Sequence, residues 1–203
     1  MPDTRLARTD ALTHLALRAR DDPGAKAILA HRPHQAMISL RGSGDAFGAA
    51  VEAALGCAIP PARRATQAGD WACAWLGPDE WLAIGPDGAQ GAMVARLRAA
   101  LEGFHAAVVD VSDNYTTIVV SGPAARDMIA GACPIDLHPR AFAPGQVVQS
   151  YFATVDVILR QVPSDDPVED PAFHLTLRRS FADHVWRWLV DAAKPVGLRI
   201  SLD

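Results

Sequence analysis

Acids, hydroxyls and guanidinium groups that could act on a ligand cluster at two places in the sequence. The first is Asp110-Val111-Ser112-Asp113, where strand alternation puts Asp110 and Ser112 on one face, opposite Val109 and Val111. An acid and a hydroxyl at that point can hold a ligand, or they can cap strand ends and tie neighbouring segments together. The second is Arg178-Arg179. A guanidinium pair suits a carboxylate or a phosphate, but such a pair also serves as a solvated face or meets acids on a partner chain. Ser180 with Asp183, immediately after it, has the spacing of a helix-capping arrangement.

No local signature marks a nucleophile or a metal centre. Serine, histidine and aspartate are all present, yet GxSxG, HExxH and the P-loop lysine motif are not. Arg41-Gly42-Ser43-Gly44 resembles a phosphate loop opening a helix. Its plainer reading is a strand-to-helix turn capped by Ser43, and its recurrence as Ser121-Gly122-Pro123 supports that. In His31-Arg32-Pro33-His34 the proline prevents helical presentation of the two histidines, and no cysteine or carboxylate lies close by. Cys57, Cys73 and Cys133 form neither a disulfide framework nor a paired metal-ligand motif, so they read as small buried thiols. No catalytic, cofactor-binding or metal-ligating residue is assigned.

Composition narrows the function classes. The chain has 203 residues, half of them hydrophobic and 21% charged, which supports a packed core and excludes wholesale disorder. Nineteen basic residues against 23 acids give a net charge of −4, without the basic excess of a general nucleic-acid binder. No apolar run approaches the length of a membrane span, and the first 20 residues lack the apolar core of a secretory signal, so a cytoplasmic location is expected.

Residues 1–34 read as an N-terminal extension, with a short helix from Thr9 to Arg20 broken by Asp22-Pro23-Gly24. From residue 35 the periodicity becomes regular. Segment 36–42 alternates as a strand. Segment 43–56 is a helix with Phe47, Val51 and Leu55 on one face and Gly56 as its stop. Strands follow at 71–76 and 80–85, then a helix at 89–103 and a strand at 106–111. The same order returns in the second half. A strand at 115–122 precedes a helix at 123–132. The stretch 146–161 is strand-like with a bend partway, 173–178 is a strand with Phe173, Leu175 and Leu177 inward and His174, Thr176 and Arg178 outward, and a helix at 180–193 leads to a strand at 198–202. The expected fold is therefore α+β. It comprises two tandem ferredoxin-like β-α-β-β-α-β units, 35–112 and 113–203, related by pseudo-twofold symmetry and packed as one body.

The last helix carries more apolar surface than one sheet requires. Counted from Phe181, its stripe holds Val185, Trp188, Leu189 and Ala192, while Trp186 and Val190 fall outside it. An exposed tryptophan beside a valine fits a protein–protein contact, although the N-terminal extension or the other unit can equally cover that flank.

Three segments, 75–86, 109–145 and 177–193, strongly resemble the gamma subunit of heterotetrameric sarcosine oxidase. The stretch Asp110-Val111-Ser112, followed by a strand and Ser121-Gly122-Pro123-Ala124-Ala125, also resembles the start of the folate-binding aminomethyltransferase, or glycine-cleavage T-protein, fold. The resemblance implies a non-catalytic gamma subunit assembled with alpha, beta and delta partners. The complex demethylates sarcosine oxidatively to glycine, forms hydrogen peroxide and passes the one-carbon unit to tetrahydrofolate or releases formaldehyde. FAD, FMN, NAD, zinc and tetrahydrofolate would then belong to the partner subunits. The folate-binding segments of the wider fold are not preserved: Phe173–Leu177 runs into Arg178-Arg179-Ser180, and the earlier repeat has Gly85-Pro86-Asp87-Gly88. Within this resemblance Trp186, Val190, Arg178 and Arg179 are candidates for partner contact, and Asp110 and Ser112 for the junction of units or a ligand. Two other readings are carried: a stand-alone folate-binding protein, which requires a buried acid between the units, and a ferredoxin-like ligand-sensing module, which favours a symmetric dimer.

Overall fold

The computed structural model describes residues 9–166 and 168–202; the first eight residues of the expected N-terminal extension lie outside them. Two strands precede the repeat, β1 (Arg20–Asp21) and β2 (Ala27–Arg32). The first unit follows as β3 (Ala36–Arg41), α1 (Asp45–Leu55), β4 (Ala65–Ala68), β5 (Trp71–Gly77), β6 (Glu80–Gly85), α2 (Gln90–Ala100) and β7 (Ala107–Asp110). The second is β8 (Tyr115–Ser121), α3 (Ala125–Ala130), β9 (Val147–Phe152), β10 (Val155–Val162), β11 (Ala172–Arg178), α4 (Ala182–Ala192) and β12 (Leu198–Ser201). Each unit thus has the expected β-α-β-β-α-β order plus one added strand, β4 or β9, that pairs with the next strand as a hairpin. The expected bent strand over 146–161 is such a hairpin, turning at Ala153-Thr154, both with positive φ.

The first unit forms a five-stranded sheet in the order β4-β5-β6-β3-β7. The second forms a seven-stranded sheet, β1-β12-β2-β8-β11-β10-β9. Comparing the two corrects the reading of residues 1–34 as an extension. Strand β2 lies between β8 and β12, antiparallel to the former and parallel to the latter, in the place that β7 holds beside β3. The expected helix from Thr9 to Arg20 does not form. Asp10 accepts the amide of Leu12 at 2.7 Å and bonds Thr13, fixing a 3-10 turn over Thr13–Leu15 that Ala16 ends in a left-handed conformation.

Both sheets carry their helices on the outer face. On the first, Phe47, Val51 and Leu55 of α1 and Met93 and Leu97 of α2 pack with Ile38, Leu40, Trp81 and Ala83. The i, i+4, i+8 spacing read from the sequence is the buried face of α1. Its cap is Gly44, with no side-chain bond from Ser43. On the second sheet, α3 and α4 cover Leu29, Ile118, Val120, Leu159, Phe173 and Leu175. The inner faces meet through a smaller apolar cluster in which Met37, Ala74, Leu82 and Ile84 face Val147 and Ile158. At one end the sheet edges join by backbone: the amide of Ala65 donates to Gly145 at 2.8 Å and that of Val147 to Arg63 at 3.1 Å.

Candidate functional site

The junction between the units is a hydrogen-bonded tie. Ser112 is buried, and its Oγ donates to Oδ1 of Asp110 at 2.5 Å while accepting the amide of Met37 at 3.0 Å. The Ser112 amide also donates to Asp110 Oδ1 at 3.0 Å, and that of Val111 to the carbonyl of Met37 at 2.9 Å. Asp110 and Ser112 therefore do come together as strand logic requires, and their groups close onto β3 at the start of the first sheet. The arrangement locks the end of one unit against its own first strand and gives the hydroxyl both an acceptor and a donor inside the chain.

On α4 the buried stripe is not the expected one. Ala182, Val185, Trp186, Leu189 and Ala193 are buried, Phe181 is 47% exposed, and Trp186 keeps only 3% of its surface. Trp186 is thus a core residue, which corrects its assignment to an exposed partner surface; Val190 is half-buried against the same core. Phe181, at the edge of the expected stripe, belongs to a 3-10 turn over Arg179–Phe181 and is exposed. The residues buried from Ala182 onward centre roughly 60° further round the helix at 100° per residue. The flank is covered from the N-terminal side: Leu12, Leu15 and Leu17 share its core, His14 Nε2 meets Asp183 Oδ1 at 3.0 Å, and Arg179 Nη2 donates to the carbonyl of Thr9 at 2.8 Å. Arg179 thereby clamps the N-terminal segment. Asp183 bonds Arg187 and His14, and no side chain caps the helix. Arg178 remains exposed, beside a cavity of about 300 Å³ that Tyr151, Gln149 and Asp156 also line.

The largest cavity described, about 790 Å³, opens where the two sheets diverge. Its wall from the seven-stranded sheet is basic: Arg32 of β2, Arg160 of β10 and His174 of β11. Arg160 and His174 are direct cross-strand partners, and Arg160 Nη2 bonds Nδ1 of His174 at 3.0 Å. Both are buried, as is Thr176 on the same face, which bonds Thr117 at 3.0 Å. The expectation that His174 and Thr176 point outward is corrected accordingly: they leave their own helices, but the other unit covers them. Burial depresses the Arg160 pKa to about 10, helped by the charge of Arg32. Burial, then Arg160 and Arg32, pushes His174 down to about 3, so the imidazole is neutral. Gln35 completes the inner wall, and Asp70 and Asp87 stand exposed at the rim.

A folate-binding reading requires a buried acid between the units. Among the described residues no carboxylate is buried, and the buried groups on that wall are the Arg160 cation and the neutral His174, so the residues present do not fit that requirement. Sequence reasoning passed over Arg32, Gln35 and Arg160. The available signal was Arg160 itself, a charge on the same strand face as Ile158 in a run otherwise suited to burial. Cys57, Cys73 and Cys133 are buried as expected, and burial raises the Cys73 thiol pKa. Among the described residues no group of three histidine, cysteine or carboxylate side chains could hold a metal ion, and no helix is long and apolar enough to cross a membrane.

Comparison with known proteins agrees with this architecture. The model of the sarcosine oxidase gamma subunit family matches residues 41–195. The chain is 34% identical to the sarcosine oxidase gamma subunit of an Arthrobacter species over 193 residues, covering 93% of this chain and 91% of that one. A chain of the heterotetrameric sarcosine oxidase from Corynebacterium sp. U-96, solved with pyrrole 2-carboxylate, superposes with a TM-score of 0.82 at 29% identity, covering 93% of this chain and 96% of that chain. The glycine-cleavage aminomethyltransferase T of Bartonella henselae has the same fold at TM-score 0.63 and 18% identity, over 94% of this chain and 50% of that chain.

Proposed function

The chain belongs to the sarcosine oxidase gamma subunit family, and from that premise we propose that it is the non-catalytic gamma subunit of a cytoplasmic, flavin-dependent heterotetrameric sarcosine oxidase. Its partners are alpha, beta and delta subunits, which carry FAD, FMN, NAD, zinc and the tetrahydrofolate site. The complex converts sarcosine to glycine with formation of hydrogen peroxide and of methylenetetrahydrofolate or formaldehyde. The observation that carries this reading is the match over nearly the whole length of both chains to a subunit of a solved heterotetrameric sarcosine oxidase.

The geometry supports an organising role. Asp110 holds Ser112, Ser112 holds the Met37 amide, and Arg179 binds Thr9, so these groups hold the body together. Arg178 and Tyr151 are different: they are exposed beside a common cavity, and Arg and Tyr are favoured anchors in protein interfaces. Of the expected partner-contact candidates, Arg178 remains on the surface and Val190 is half-buried; Tyr151 is added to them by the structure. Affinity purification of the tagged chain from its own host tests the reading. Co-elution with two flavoprotein-sized chains and a small chain, with sarcosine-dependent peroxide in the eluate, is the expected result. A chain that elutes alone while its partners are expressed contradicts it.

A further inference from the structure

Arg160 is a buried cation facing a cavity, and none of the described residues neutralises it. Its relative exposure is 8%, and its bond to His174 engages one of the five guanidinium N–H groups. Its neighbour in charge is another cation, Arg32. Among the described residues no carboxylate comes within ion-pair distance of either. A guanidinium withdrawn from water without a counter-charge is strongly unfavourable, and an arriving anion removes that penalty. The cavity of about 790 Å³ gives such an anion room and access.

A second group on the same wall adds specificity. Gln35 Oε1 is buried without a hydrogen-bond partner and lines this cavity. As an acceptor it calls for a donor on the ligand. The exposed Asp70 at the rim opposes multiply charged anions. A planar guanidinium matches a carboxylate through two parallel N–H bonds. We infer that the cavity between the two sheets is a binding site for a small monocarboxylate that also carries an N–H or O–H donor. Arg160 receives the carboxylate, Arg32 adds charge at the entrance, and Gln35 accepts the donor.

The test uses the full chain, with thermal melting and calorimetric titration at constant ionic strength set by chloride. The probes are N-acetylglycinate, acetate and inorganic phosphate. Saturable binding is expected to be tightest for N-acetylglycinate, weaker for acetate and weakest for phosphate. Arg160→Met should weaken N-acetylglycinate binding by about tenfold or more, as loss of a charge-assisted bidentate contact does. Without any probe this variant should melt at or above the temperature of the parent, because an unneutralised buried charge has been removed. Gln35→Leu should erase the preference for N-acetylglycinate over acetate. The same titration on the assembled complex separates two sources of the carboxylate: retained binding means a free ligand, and binding lost only on assembly means a carboxylate side chain of a neighbouring subunit. Failure of all three probes to bind the parent overturns the inference. So does an Arg160→Met chain that melts lower and binds N-acetylglycinate unchanged, since Arg160 would then act only as a structural donor to His174.

Discussion

Nη2 of Arg160 and Nδ1 of His174 lie 3.0 Å apart on adjacent strands, in the layer between the two sheets. The imidazole can accept that bond only while neutral, since both nitrogens of a protonated ring are donors. Burial and the charges of Arg160 and Arg32 lower its pKa to about 3, against an ordinary value of 6.5. Between those values the unfolded chain binds a proton that the folded chain does not. The contribution to stability is therefore intact above about pH 6.5 and is lost progressively as the pH falls toward 3. His174→Gln keeps an acceptor for Arg160 but cannot titrate. Urea midpoints measured at pH 7.5 and pH 5 should fall less for the variant than for the parent, and equal falls would show that His174 is not buried neutral.

Trp186 packs in the core with Val185 and Leu189, beneath the segment that carries Leu12 and Leu15. Trp186→Ala should cost about 3–5 kcal/mol of folding stability, the range for a large aromatic removed from a core. Denaturant unfolding of the isolated chain checks this. Unchanged stability would mean that the tryptophan is free for a partner after all.

Ser112 Oγ is the partner of the buried Met37 amide at 3.0 Å. Ser112→Ala leaves that amide unpaired, which should cost about 1–3 kcal/mol and speed hydrogen exchange at residue 37. An unchanged exchange rate would show that the tie between the junction and β3 is not formed in solution.

Leu29 is fully buried on β2, between β8 and β12. Leu29→Ala should destabilise the chain by about 2–5 kcal/mol. A loss well below 1 kcal/mol, measured by urea titration, would return β2 to the status of a dispensable extension.

Arg178 is exposed, and no hydrogen bond or ion pair of its side chain is present among the described residues. Arg178→Glu should leave the melting temperature of the isolated chain nearly unchanged, as surface substitutions usually do, and weaken assembly by about tenfold. Competition between variant and parent for the purified partners measures the difference. Equal incorporation would remove Arg178 from the interface.

The residues show why much of this fold was legible and some of it was not. Phe47, Val51 and Leu55 revealed α1 because an exposed outer face makes the helical period visible. Phe173, Leu175 and Leu177 revealed β11 by alternation, yet the opposite row of His174 and Thr176 looked solvent-facing and is covered by the first unit. Alternation identifies two faces; it does not say that both will be buried. The insertion of β2 between β8 and β12 rests on pairing across more than 80 residues, for which local periodicity carries no signal. Strand β4 (Ala-Thr-Gln-Ala) was hidden because an edge strand with no fully buried residue has no apolar pattern to read. Of the basic cavity, only the charge of Arg160 within an otherwise apolar run pointed inward. Its meeting with Arg32 and Gln35 depends on the packing of two sheets.

The most direct measurement of the central claim is native mass spectrometry of the complex purified through a tag on this chain. The account requires one copy of the 21.6 kDa chain together with one each of three different subunits, in an assembly that forms peroxide when sarcosine is added. A homo-oligomer of this chain, or the chain by itself beside an intact and active oxidase that lacks it, would contradict the account.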